Sequence, residues 1–309
     1  MRGRKLLGAA VGLVGTAAVG NRVIANRTEP LGPPLARETG TYRWRGMELS
    51  YTEGGDPEDP DVLLVHSLHR AGTSREFSRI YERLTESYHV FAPDLPGFGR
   101  SDRPPMRYSG TLFETFLEDF VDDLTDRPIV LGSGLGGTFA AAAAQHVDTG
   151  RLLLVCPSEA YTRSSTIGAT LLGVPVLGTA GFNLLTSRRG LQQFAGTQLL
   201  YDPASLSDED LGYLWNTAHQ EHAEYPIASA LRGHLEPSID PGAALATLDV
   251  GSCLIWGRDA ARPGLREGRH MADRADVKLV VMDQTRRLPH FEQPGAFLDI
   301  LAEELPTAR

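Results

Sequence analysis

The chain has 309 residues, of which 41% are hydrophobic and 22% charged, and its formal net charge is −9. This length suits one large α/β domain with an insertion, and the composition is that of a globular protein, not of a disordered or fibrous one. The acidic excess argues against binding to a nucleic-acid backbone, which requires surplus Lys and Arg.

The basic residues are almost all arginines, since Lys5 and Lys278 are the only lysines. An acidic surface with few lysines is typical of proteins that function in strong salt, where net negative charge helps to keep them soluble. A genome rich in GC would give the same bias through its arginine codons. The sequence therefore predicts a halophilic protein and leaves the codon explanation open.

A basic start and an apolar run open the chain. The run Leu6–Gly20 holds no charge and follows three basic residues. Its length is short for a spanning helix, which needs about 17–25 residues, but extending it past Arg22 makes a span possible. We expect residues 1–38 to form a membrane anchor and a Pro-containing linker, with the domain on the cytoplasmic side. The alternative is a secretory signal that is cleaved to release the protein.

The rest of the chain, residues 39–309, alternates short apolar runs with helical patterns. This is typical of an α/β domain with a mostly parallel sheet covered by helices on both faces. Helices are predicted at Phe77–Leu84, at Phe113–Leu124, after Gly134 and at Gly295–Glu304. Eight strands are predicted, at Tyr42–Trp44, Met47–Thr52, Val62–His66, His89–Pro93, Ile129–Gly132, Leu152–Cys156, Cys253–Trp256 and Val277–Met282.

Almost a hundred residues without a convincing core strand separate Cys156 from Cys253. Residues 160–240, approximately, are predicted to form a helical lid inserted over the carboxyl edge of the sheet, where it would control access to a cleft. Two cysteines are too few for a disulfide scaffold, and no Cys-x-x-Cys or His/Cys cluster indicates a metal. We expect no cofactor.

Five motifs follow one another at suitable spacing. They are Val65–Ser67, Pro93–Asp102, Gly132–Gly137, Trp256–Asp259 and Leu288–Pro294. In this order they resemble the α/β-hydrolase family, in its branch with an inserted helical lid, over roughly residues 45–305. The resemblance implies an α/β-hydrolase fold: an eight-stranded, mostly parallel sheet flanked by helices. The string Pro93–Asp102 is the most specific of the five, and in the family it braces a loop.

The family places its nucleophile in the third position of Gly-x-Ser-x-Gly, at a sharp strand-to-helix turn. Here that position is Gly134, and the only serine, Ser133, comes one residue early. Glycine has no nucleophilic side chain, but it tolerates the positive φ of such a turn. Ser133 would act as nucleophile only if the site had been rearranged.

The family's general base is a histidine, and the resemblance places it at Arg287. Arginine does not lose its proton in proteins and cannot act as a base. His290 lies three residues later, where the family's histidine is usually structural. The acid is ambiguous among Asp259, its neighbour Ala260 and Glu159 after the sixth strand.

Backbone amides form the oxyanion hole of such enzymes, so side-chain changes need not remove it. The candidates are the amides of Leu135 and of Ser67 or Leu68, with Arg287 as an added cation that suits a carboxylate or phosphate. We therefore expect an atypical or non-catalytic member that binds a small apolar, carboxylate or ester-like ligand. The alternatives are an active hydrolase with a rerouted set Ser133–His290–Asp259, a cofactor-free lyase-like activity, and a pocket that has collapsed. Partners are expected to be that ligand and, through the N-terminal segment, a membrane; the oligomeric state is not readable.

Overall fold

A computed structural model describes residues 2–35, 37, 39–158, 174 and 176–305, with side chains from residue 14 onwards. The strands fall within a few residues of the predicted positions, because alternating apolar runs and turn residues mark them locally. They are β1 (Thr39–Trp44), β2 (Met47–Gly54), β3 (Asp61–Val65), β4 (His89–Pro93), β5 (Ile129–Ser133), β6 (Arg151–Val155), β7 (Gly251–Gly257) and β8 (Lys278–Met282).

These strands form one sheet in the order β1-β2-β4-β3-β5-β6-β7-β8. The hairpin β1–β2 turns at Arg45-Gly46, where both residues have positive φ, and it joins β4 in antiparallel pairing. From β4 to β8 all pairings are parallel. The predicted eight-stranded, mostly parallel sheet is confirmed, and its parallel strands all end at one edge.

The described part of the chain contains twelve α-helices, several of which cover the two faces of the sheet. They are α1 (Arg2–Ala25), α2 (Tyr81–Leu84), α3 (Gly110–Leu124), α4 (Gly134–Ala143), α5 (Leu177–Leu185), α6 (Arg188–Phe194), α7 (Asp208–Ala218), α8 (Glu224–Leu231), α9 (Pro241–Thr247), α10 (Leu265–Ala275), α11 (Pro289–Glu292) and α12 (Pro294–Glu304). One core layer packs α3 and α4 on the sheet, and the other packs the α2 region and α12 on the opposite face.

The helix predicted at Phe77–Leu84 is shorter than expected. A 3-10 turn occupies Ser74–Phe77, and α2 covers only Tyr81–Leu84. The physical reason lies outside the segment, because the buried carboxylate of Asp94 accepts hydrogen bonds from the amide and hydroxyl of Ser74. That tertiary contact holds the backbone of Ser74 in the 3-10 turn that precedes α2.

The segment between β6 and β7 contains helices α5 to α9. Glu159, one candidate acid, falls outside the described residues. Within the described part of the insertion, the lid helices bury Phe182, Leu191, Leu211 and Ile227. These side chains pack over the carboxyl edge of the sheet, which leaves a cavity beneath.

The N-terminal apolar run forms helix α1, which packs on lid helix α5. Its side chains from Val14 to Ala25 are mostly exposed; only Ala17, Asn21 and Ile24 are half-buried. No helix among the described ranges combines the length and the apolar character that crossing a bilayer requires. The predicted spanning anchor is therefore not supported.

Candidate functional site

A cavity of about 920 Å³ lies between the carboxyl edge of the sheet and the lid. Its size is within the roughly 300–1,000 Å³ that is usual for small-molecule sites. The loops after β3 and β5 contribute Leu68 and Leu135, and the loop after β8 contributes Arg287. The alternative of a collapsed pocket is therefore wrong.

The turn from β5 into α4 has the geometry of a nucleophile elbow. Gly134 sits there with φ +53°, a left-handed conformation that glycine adopts without strain. Two residues on, a Cβ on Gly136 would lie 2.0 Å from the carbonyl oxygen of His66, so only glycine fits between β3 and the helix. The backbone of the elbow is thus present although the nucleophilic side chain is not.

Arg287 occupies the space that a nucleophile would use. A Cβ built on Gly134 would lie 3.1 Å from Nη2 of Arg287 and 3.1 Å from Cβ of Ser67. The Arg287 amide donates to the carbonyl of Leu199, at 3.0 Å, which ties this loop to the lid. A permanent cation therefore stands over the elbow, at the floor of the cavity.

The charge of the cavity is opposite to that of the whole protein. Four arginines and one acidic residue line it among the described residues, namely Arg70, Arg189, Arg262, Arg287 and Glu267. The chain as a whole carries a net charge of −9. The remaining walls are largely apolar, with Phe182, Leu184, Leu185, Phe194, Ile227, Leu231 and Met271. This combination suits an anion that carries an apolar body.

Two of the three predicted oxyanion-hole amides still lack an acceptor in the described part of the protein. These are the amides of Leu135, at the N-terminus of α4, and of Leu68. The third prediction is corrected: the Ser67 amide donates to Glu76 Oε2 at 3.1 Å, and the Ser67 hydroxyl donates to the same oxygen at 2.6 Å. Oε2 of the buried Glu76 carboxylate accepts both hydrogen bonds, so the Ser67 amide is not available to a ligand.

His69 adds a neutral donor to the cavity. Its Nδ1 accepts from the Ala71 amide at 3.3 Å, which places the ring proton on Nε2. Burial is the main cause that lowers the pKa of His69 to about 3; the Glu76 carboxylate opposes this shift, and the Arg287 guanidinium contributes to it. The imidazole therefore remains uncharged at neutral pH and presents an N–H without a positive charge.

The structure does not bring the rerouted set together. Ser133 ends β5 fully buried, and its hydroxyl has no partner among the described residues. His290 is fully buried between Phe77 and Phe297, with its ring 5.0 Å from that of Phe77. Asp259 is exposed, so it cannot orient the buried imidazole. The use of these three residues in catalysis stays a prediction that this arrangement does not favour.

The acidic neighbour of His290 is Glu76. Nε2 of His290 lies 3.6 Å from Oε1 of Glu76, and both side chains are almost completely buried. Burial raises the pKa of Glu76, but the contacts with His290 and Ser67 outweigh it and bring the pKa to about 2. Glu76 is thus a buried carboxylate that joins the loop after β3 to α11.

Ala260 holds the remaining position considered for the acid. It is buried and packs against Cys156 and Trp256. Ala260 itself offers no carboxylate. The position of the acid therefore stays open between Asp259 and Glu159, of which Asp259 is exposed.

Hydrogen bonds to buried side chains brace the loops that support the floor. His66 donates from Nδ1 to the Ser67 carbonyl at 2.9 Å and accepts at Nε2 from the Leu95 amide at 3.0 Å. Asp94 accepts from Thr73, from Ser74 and from the Arg100 amide. Asp94 thus has the bracing role expected of the Pro93–Asp102 string, and His66 braces the loop after β3 in the same way.

Glu292 connects the floor to the lid. Its Oε2 accepts from the Arg286 amide at 2.7 Å, and its Oε1 accepts from the Tyr201 amide at 2.6 Å. Burial raises the pKa of Glu292. Because Arg286 precedes Arg287, this carboxylate positions the loop that carries the cation.

The roles of Glu76, His69, Arg189 and Arg262 were not predicted from the sequence. Thr73-x-x-Glu76 matches a helix-capping pattern, which hides the tertiary role of the glutamate. His69 follows Ser67 by two residues, so its place beside the oxyanion loop was readable. No local sequence pattern identifies Arg189 and Arg262 as residues that line the cavity. Among the described residues no group of His, Cys, Asp or Glu could hold a metal ion.

Comparison with known proteins places these observations in a family. Residues 62–300 match the model of the alpha/beta hydrolase family. An uncharacterized protein of Mycobacterium bovis is 28% identical over 270 residues, which cover 80% of this chain and 76% of that protein. A 2-hydroxy-6-oxo-6-phenylhexa-2,4-dienoate hydrolase of Burkholderia cepacia is 26% identical over 257 residues, with 78% and 87% covered.

A solved structure supports the same fold. An alpha/beta hydrolase fold protein from Burkholderia ambifaria superposes with a TM-score of 0.68 at 23% identity. The match covers 88% of this chain and 98% of that one. At this identity the likeness concerns the fold alone.

Proposed function

Because the chain belongs to the alpha/beta hydrolase family, we propose that it keeps the family's pocket as a binding site for an amphiphilic carboxylate and lacks ordinary serine-hydrolase catalysis. The observation that carries the proposal is the Arg287 guanidinium, whose Nη2 lies 3.1 Å from where a nucleophile's Cβ would be. A cation in this place attracts the ligand's anion and can neither attack an acyl carbon nor accept a proton.

The hydrogen-bond donors around Arg287 favour a ligand with an anionic head group over one with a neutral head group. The amide of Leu135 opens helix α4, where the helix dipole favours negative charge. Leu68 and His69 line the same cavity, and the Leu68 amide and the Nε2–H of His69 are further donors of these residues. A carboxylate could accept from several of these donors at once, whereas an ester carbonyl offers a single oxygen without charge.

The walls support an apolar body for the ligand. Phe182, Ile227, Leu231 and Met271 line the cavity above the floor. Burial of an apolar chain against such side chains stabilises binding by about 25 cal/mol per Å². A fatty or aryl-alkyl carboxylate meets both the charge of the floor and the character of the walls.

The test is calorimetric titration with saturated fatty carboxylates and their methyl esters. We expect the carboxylates to bind more tightly than the esters, and Arg287→Ala to weaken carboxylate binding by about 10- to 100-fold. Arg43→Ala, on the exposed side of β1, is the matched control and should bind as the native protein does. Equal affinities for acids and esters, or for native protein and Arg287→Ala, would contradict the proposal.

Hydrolysis of an ester or a similar small substrate is the second candidate. The hydrolase from Burkholderia cepacia favours it, because that relative matches 78% of this chain. Such an activity would require Ser133 with His290 and a carboxylate. A fluorophosphonate serine probe separates the candidates: labelling that disappears in Ser133→Ala would establish an activated serine. We expect no labelling of the folded native protein.

A further inference from the structure

Exposed apolar side chains are concentrated on two helices that touch each other. In the described part of the chain seven large apolar side chains are exposed, and six of them lie on α1, on α5 or just before α5. They are Val14, Val19, Val23, Val174, Leu184 and Leu185. The seventh, Tyr201, belongs to another part of the lid. A soluble monomer rarely concentrates exposed apolar residues in this way without a partner.

Helix α1 is held to the lid by polar contacts at one point. Nδ2 of Asn21 donates to the Val176 carbonyl at 2.9 Å, and Nδ2 of Asn183 donates to Oδ1 of Asn21 at 3.0 Å. The two helices are therefore adjacent, and we name their exposed apolar side chains, Val14, Val19, Val23, Leu184 and Leu185, the α1–α5 surface. Leu184 is 75% exposed although it also lines the cavity.

The charge of this region distinguishes it from the remainder of the protein. Helices α1, α5 and α6 contain no Asp or Glu, in a chain with 39 acidic and 30 basic residues. Their basic residues are Arg2, Arg4, Lys5, Arg22, Arg188 and Arg189. Basic residues flanking an apolar helix are typical of segments that lie in the interface of an anionic bilayer.

The mouth of the cavity borders the same surface. Leu184, Leu185 and Arg189 are exposed and also line the cavity. We propose that the α1–α5 surface docks on an anionic lipid bilayer, with α1 lying along the interface and the cavity mouth facing the lipid. Docking goes beyond the proposed carboxylate binding and rests on it only for the identity of the molecule that would enter from the bilayer.

The test is flotation of the full chain with vesicles of equal parts phosphatidylcholine and phosphatidylglycerol, beside vesicles of phosphatidylcholine alone. We expect the native protein to bind the anionic vesicles about tenfold more strongly. Val19→Glu with Val23→Glu should reduce binding to both at least about tenfold, because charged side chains do not enter the interface. Arg188→Glu should reduce binding to the anionic vesicles alone, also about tenfold.

Tyr201→Glu is the matched control, since it places a new carboxylate on an exposed aromatic position outside the surface. It should float as the native protein does, and every variant should show the native circular-dichroism spectrum and unfolding transition. Absence of flotation of folded native protein, or equal flotation of the Val19→Glu/Val23→Glu variant, would overturn the proposal. A dimer in sedimentation velocity that this variant converts to monomer would overturn it too, because a second copy would then cover the surface.

The same variants separate this inference from the proposed function. Val19 and Val23 do not line the cavity, so their double variant should bind a short, soluble carboxylate with native affinity. Arg287→Ala should float with anionic vesicles as the native protein does. If the folded native protein shows only one of the two properties, vesicle binding or carboxylate binding, the missing property identifies the proposal that has failed.

Discussion

The loop after β4 and the floor of the cavity lie at the same edge of the sheet but use their polar groups differently. In the loop, the Asp94 carboxylate is 1% exposed and accepts from two hydroxyls and two amides. On the floor, the amides of Leu68 and Leu135 line a cavity and find no acceptor in the described part of the protein. In the loop the acceptor is saturated by internal donors, whereas on the floor two donors have no acceptor among the described residues, so the two regions differ in what they offer to a ligand.

Removal of the bracing carboxylate should have the largest effect on stability. Asp94→Ala leaves buried donors of Thr73 and Ser74 without an acceptor, and we expect a loss of about 4 kcal/mol in the free energy of unfolding. Urea unfolding measures it. Asp122→Ala, on the exposed side of α3, is the control and should change stability by less than about 0.5 kcal/mol. A similar small change in Asp94→Ala would show that the loop does not depend on this side chain.

The next prediction concerns Glu76, which lies between the bracing and the floor. Its folded pKa of about 2 lies below the ordinary value of 4.5. A depressed carboxyl pKa stabilises the folded state above the unfolded pKa, and that stability is lost as the pH falls from 4.5 towards 2. Glu76→Gln should therefore lower stability at pH 7 by about 3 kcal/mol.

The pH dependence of the free energy of unfolding serves as the control for this prediction. The stability of Glu76→Gln should change less than that of the native protein across the same acid range, because the titrating group is gone. Parallel curves for the two proteins would mean that other carboxyl groups cause the loss of stability in acid.

A side chain at the elbow tests how strictly the floor is built. Gly134→Ala adds a Cβ at positive φ and 3.1 Å from Nη2 of Arg287, and it should cost about 2 kcal/mol. In an Arg287→Ala background we expect the cost to fall to about 1 kcal/mol, since the contact is then removed and only the backbone strain remains. A double-mutant cycle measures this coupling, and additive effects would place the guanidinium away from the elbow.

Salt should have the smallest effect and should act on both regions alike. If the acidic surface is an adaptation to strong salt, raising potassium chloride should increase stability by on the order of 1 kcal/mol through screening of surface repulsion. The difference between Asp94→Ala and Gly134→Ala should persist, because buried interactions are screened much less. Full stability without added salt would favour the explanation from arginine codons.

Local patterns were sufficient to predict the sheet. All eight strands were placed within a few residues, because each is an apolar run bounded by turn residues. The left-handed conformation of Gly134 was equally readable from its motif. The helix at Phe77–Leu84 was predicted too long, since the contact of Ser74 with Asp94 joins residues that no local pattern connects.

The candidate site depended more on the tertiary structure. Sequence placed Gly134 and Arg287 in the positions of a nucleophile and a base, but it could not show that the guanidinium reaches over the elbow. It also offered the Ser67 amide to a ligand, whereas Glu76 already binds it. Side-chain direction and the pairing of distant residues are set by packing, and packing joins segments that the chain keeps far apart.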